Sequence, residues 1–88
     1  MKADQTQVLR LLKTARGQID GVIRMVEEDR YCIDISNQIQ VSAAILNKVN
    51  QEILSAHIRC CVSEALHSGK QEADAKIEEI LAVLQKAL

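Results

Sequence analysis

Apolar residues recur along this chain at alternating steps of four and three. The first run is Val8, Leu12, Ala15, Ile19, Val22 and Val26. That rhythm is the seam of an amphipathic helix packed in a bundle. It fades at "EEDRY", residues 27–31, which predicts the first break. A second run, Ile35, Ile39, Ser42, Leu46, Val49, Ile53, Ala56 and Cys60, predicts a helix over about residues 32–66. "HSGK" stops it, with Gly69 as the C-terminal breaker. Ile77, Ile80, Leu81, Leu84 and Leu88 mark a third helix. Gly17 and Gly21 lie one turn apart on the first helix. An interior Gly costs about 1 kcal/mol relative to Ala. The pair therefore predicts close approach of another backbone.

Composition narrows the fold class to all-α, a three-helix protomer in one domain over residues 1–88. Hydrophobic residues make up 48%, yet there is no Phe, Trp or Pro, one Tyr and three Gly. The core must be aliphatic and the helices long. A small chain of this kind often completes its core by oligomerising. "MKADQTQVLR" is polar and has no apolar run behind it, so no signal peptide is visible. No stretch approaches the roughly 20 apolar residues of a membrane span. The expectation is a cytoplasmic protein with no membrane partner. Three Cys, an odd number, point to thiols for metal or redox use, or to plain burial. There is no Glu-x-x-His di-metal pattern, nucleophile triad or phosphate loop, so the chain does not read as an enzyme.

The net charge of -1 gives no global signal for nucleic acid. Its distribution is less neutral. Arg10, Lys13, Arg16 and Arg24 fall within about 120° of the first helix, away from its seam. That is either a solvated charged face or a phosphate-contacting patch.

The densest chemistry is "SAHIRCCV", residues 55–62. Cys60 continues the seam and reads as a small buried apolar residue. Cys61 points about 100° away, toward the face of His57 and Leu54. His57 and Cys61, four apart, can chelate one ion; the alternative is a half-buried His beside a buried thiol. A closed site needs a further ligand, and Cys32 and His67 remain. His67 precedes the Gly69 break and reads as a solvated residue complementing the helix dipole. Cys32 precedes His57 by 25 residues. That is roughly 37 Å along one helix, out of reach within a chain. An antiparallel copy of the second helix, crossing near Ile45 and Leu46, brings Cys32 of one chain level with His57 and Cys61 of the other. Two identical sites per dimer result, provided that the helix is unbroken. Thiolates with one imidazole suit Cu(I), with Zn(II) or Ni(II) as alternatives.

"ARGQIDGVIRMVEEDRYCIDISNQI", followed by His-x-x-x-Cys-Val 25 residues after Cys32, resembles the copper-sensitive operon repressor family, CsoR/RcnR. The resemblance covers almost the whole chain. It implies two protomers in an antiparallel four-helix bundle, and a dimer of dimers. It implies a repressor that holds operator DNA when ligand-free and leaves it on binding Cu(I). Cys32 of one chain with His57 and Cys61 of the other would be the three ligands. Tyr31 and Glu79 would support them, with Glu79 accepting the His57 N–H that faces away from the metal. Placing Glu79 requires about two extra residues in the "HSGKQEAD" loop. The DNA contacts would be Arg10, Lys13 and Arg16, with Lys48 on the second helix. The chain departs from the family at Leu11, where many members carry Arg. Two other functions are compatible with the sequence. One is a persulfide-sensing repressor using Cys32 and Cys61. The other is a helical adaptor dimer that binds no DNA.

Overall fold

The computed structural model describes residues 1–68 and 70–87, and of residues 65–68, 70–73 and 87 the backbone alone. Three helices follow one another: α1 (Gln5–Glu27), α2 (Cys32–Ser68) and α3 (Lys70–Ala87). There is no strand among the described residues, so the chain is all-α. Among the described residues, no helix is long and apolar enough to cross a membrane.

Asp4 starts α1. Its carboxylate accepts from the backbone N–H groups of Thr6 at 3.0 Å and Gln7 at 3.3 Å. Two of the donors that a helix start leaves unpaired are thereby satisfied. The break falls where the seam fades. Asp29 takes a left-handed φ of 53°. Its N–H donates to Val26 O at 3.1 Å, and that of Arg30 to Met25 O at 3.0 Å. These are the two bonds of a Schellman cap, with Asp in the place usually held by Gly. The N–H of Ile35 donates to Tyr31 O at 3.2 Å and opens α2. That helix is unbroken from Cys32 to Ser68, the condition on which a two-chain site depends. Gly69, the His67 side chain and Leu88 lie outside the described residues.

Two compact units form, one from Asp4–Glu52, the other from Met1–Ala3 with Ile53–Leu88. In the first, Val8, Leu11, Ala15, Ser42 and Val49 are buried. The buried Ser42 hydroxyl donates to Gln18 Oε1 at 3.3 Å. The seam is only half used. Leu12, Ile19, Ile39 and Leu46 stay exposed, while Leu11 is buried instead. A single chain covers one flank of the seam and leaves the other open. On the open flank a groove of about 250 Å³ is lined by Ile19, Val22, Ile39, Ser42, Ala43 and Leu46. Within the described residues of this chain the space beside the two glycines is open. A Cβ at Gly17 would meet nothing within 4 Å, and one at Gly21 only the Arg24 guanidinium at 3.9 Å. No backbone of the same chain comes close to either.

In the second unit Cys61 is buried. Ile77, Leu81, Val83 and Leu84 of α3 remain exposed.

Candidate functional site

Two turns of α2 carry His57, Cys60, Cys61 and Glu64, and α3 supplies Lys76 and Glu79. The Cys61 Sγ lies 3.5 Å from His57 Nε2. Zinc-type bond lengths of 2.3 Å to sulfur and 2.0–2.1 Å to nitrogen, at a tetrahedral angle, set two such donors about 3.6 Å apart. The pair is thus already spaced as two ligands of one ion. Helical geometry alone achieves this, since residues four apart share a face.

The expected burial of Cys60 needs correction. Cys61 is buried, and Cys60 is half-buried. The Cys60 thiol donates to Glu64 Oε1 at 3.6 Å. The expectation extended a seam phase from the first half of α2. Beyond Glu52 the helix belongs to the other unit, with other neighbours, and the phase does not carry over.

Glu79 meets His57, its Oε1 lying 3.6 Å from Nε2. This is also the nitrogen nearest the Cys61 thiol. A ring nitrogen that donates a proton to a carboxylate has no lone pair left for a metal. Proton donation from Nε2 to Glu79 and metal ligation through Nε2 therefore exclude one another. A second ion pair, Glu64 with Lys76, also joins α2 to α3. Sequence reasoning missed it; the i, i+4 spacing of Cys60 and Glu64 is the only signal that points there. A cavity of about 190 Å³ gathers His57, Cys60, Cys61, Glu64 and Glu79 with Lys2 and Lys76.

Among the described residues, no three His, Cys, Asp or Glu groups converge to hold an ion. Cys32, the first residue of α2, is exposed, as is Tyr31 before it. Neither is among the residues lining the cavity around His57. Arg10, Lys13, Arg16 and Lys48 are all exposed. The Arg10 guanidinium donates to Gln7 Oε1 through Nε at 3.2 Å and Nη2 at 2.9 Å.

Comparison with known proteins bears on family and fold. A profile of the metal-sensitive transcriptional repressor family matches residues 4–86. The chain is 40% identical over 73 residues to the copper-sensing transcriptional repressor CsoR of Mycobacterium ulcerans, covering 83% of this chain and 61% of that one. It is 37% identical over 83 residues to CsoR of Bacillus subtilis, covering 94% and 80%. It spans 61% to 66% of the length of the mycobacterial CsoR relatives it matches. Among solved structures, the copper-sensing repressor CsoR with Cu(I) from Geobacillus thermodenitrificans aligns with a TM-score of 0.83 at 33% identity, over 92% of this chain and 82% of that one. The nickel-responsive transcriptional regulator InrS gives a TM-score of 0.83 at 26% identity, over 93% of each chain. These relatives are transcriptional regulators and not enzymes. By sequence and by fold, the chain belongs to the metal-sensitive transcriptional repressors, the CsoR/RcnR family.

Proposed function

We propose that residues 1–88 form a single cytoplasmic regulatory domain, a Cu(I)-responsive repressor. Metal-free, it holds operator DNA; with Cu(I) bound, it lets go. The observation that carries this reading is the Cys61–His57 pair, set 3.5 Å apart on one face of α2. Cys32 of a second chain supplies the third ligand, in an antiparallel four-helix bundle that pairs further into a tetramer. The copper-sensing relatives support Cu(I) as inducer. The nickel-responsive InrS keeps Ni(II), and with it Zn(II), as alternatives to be tested.

Arg10, Lys13, Arg16 and Lys48 contact the DNA backbone, and symmetry multiplies this patch in the assembly. The bound ion supplies positive charge and a fixed coordination geometry. His57 is the point of exchange. If its Nε2 turns to the metal, Glu79 is released and the hold of α2 on α3 changes. If Nδ1 serves instead, Nε2 keeps Glu79 and the ring orientation is what α3 senses. Tyr31, beside the incoming Cys32, steadies that ligand. By linkage, whatever factor metal removes from DNA affinity, DNA removes from metal affinity.

An operator-release assay with Cu(I), Zn(II), Ni(II) and a persulfide donor tests the proposal. Cu(I) should release the DNA. His57→Ala and Glu79→Ala should still bind DNA and lose most of that release. Release by the persulfide donor and not by copper would replace the metal reading with sulfur sensing through Cys32 and Cys61. No DNA retention at all would leave only a helical adaptor.

A further inference from the structure

His57 has two thiols at chelating distance along the helix. Cys60 lies three residues on and Cys61 four, and both spacings bring side chains together on a helix. Both thiols line the same cavity of about 190 Å³. Spacing therefore does not decide which of them serves a metal.

We propose that Glu64 makes that choice by holding Cys60 away from His57. The inference rests on the reading of His57 and Cys61 as metal ligands and adds the residue that makes the set selective. Cys60 donates its S–H to Glu64 Oε1 at 3.6 Å, while the Cys61 Sγ lies 3.5 Å from His57 Nε2. The other carboxylate oxygen, Oε2, pairs with Lys76 of α3. Each oxygen of Glu64 thus has its own partner, and the carboxylate is fixed from two sides. The Lys76 side chain is 25% exposed and that of Glu64 41%. The pair is partly shielded and holds better than an open surface pair. With Glu64 fixed, its hydrogen bond favours the staggered well of Cys60 that reaches it over the others. Without Glu64 that preference disappears, and a second thiol on the same cavity becomes available to a soft ion. Glu64 is a specificity-determining residue, and Lys76 positions it.

Two measurements test this. The first needs no metal. Three-bond Hα–Hβ couplings of Cys60 should report one rotamer in the wild type, an averaged side chain in Glu64→Ala, and wild-type-like values in Glu64→Gln, which keeps an acceptor oxygen. Averaging in the wild type overturns the proposal, as does a single rotamer in Glu64→Ala. The second is Cu(I) competition against a chromophoric chelator. Cys61→Ser should weaken binding. Adding Glu64→Ala to it should recover about tenfold or more, the size of effect that outer residues have at metal sites. Removing Cys60 as well should abolish the recovery. A double variant that binds no tighter than Cys61→Ser overturns the selection alone. Weak Cu(I) binding by the wild type overturns the metal reading and the selection with it.

Discussion

Replacing Leu46 by Glu should separate the chains and, by doing so, weaken a metal site that Leu46 does not touch. Ile19, Ile39 and Leu46 line one open groove and are 43%, 52% and 43% exposed. Full burial of such a side chain gives about 1.5–3 kcal/mol. Scaled by those exposures, the three contribute about 2–4 kcal/mol per chain, and about 4–8 kcal/mol in a twofold pair where each counts twice. Leu46→Glu removes about 1 kcal/mol of this per chain. It also places a carboxylate in an apolar groove, at a cost of at least about 1–3 kcal/mol where no partner awaits it. The two effects, doubled by symmetry, weaken association by at least about a hundredfold. Sedimentation equilibrium over a wide concentration range measures the association. Chelator competition on the same samples measures Cu(I) affinity. The expected outcome is a folded monomer with weakened copper binding, because Cys32 of a partner is no longer supplied. Continued association of Leu46→Glu would show that the groove is not the interface. A monomer that binds Cu(I) as tightly as the wild type would refute the two-chain site itself.

Three further outcomes are expected. Gly17→Ala should stabilise the chain by about 0.5–1 kcal/mol in chemical denaturation, because its Cβ meets nothing within 4 Å; loss of association in its place would reveal a partner backbone at that helix face. Arg16→Ala should lower the salt dependence of DNA binding by about 0.9 for each phosphate left without its cation, or about 1.8 for two chains on one duplex. An unchanged slope would remove Arg16 from the DNA surface. Asp4→Ala removes the acceptor for two backbone donors and should cost about 1 kcal/mol. In a domain of this size that lowers the melting temperature by about 4–8 °C, read by circular dichroism. An unshifted melt would mean that α1 is set by its packing and not by its cap.

The helices were legible because their signals are local. Seam rhythm, the loss of it at "EEDRY" and the absence of Pro place α1 and α2 to within a few residues of the observed limits. The His57–Cys61 pair was legible for the same reason, since helical spacing is itself geometry. What failed depended on neighbours. Cys60 is less buried than its seam position suggested, because α2 enters a second unit after Glu52. Glu79 does reach the His57 ring, but spacing along α3 does not say at which edge. The Glu64–Lys76 pair joins two helices and is invisible to any pattern within one. The glycines promised a close backbone that the single chain does not contain.

The left-handed Asp29 has a consequence in time. It closes α1 through a turn at residues 28–31, held by backbone hydrogen bonds and an Arg30–Glu28 ion pair at 3.6 Å. Helical hairpins of this kind rely on contacts close in sequence and fold in microseconds to milliseconds. Pairing of two chains is a collision, and its rate depends on how many chains are present. If the chains pair as proposed, a newly made protomer would finish its own fold and then wait, with Ile39 and Leu46 still exposed. On the two-chain reading proposed above, the concentration of chains would set the length of that wait, and with it the interval before a metal site is complete.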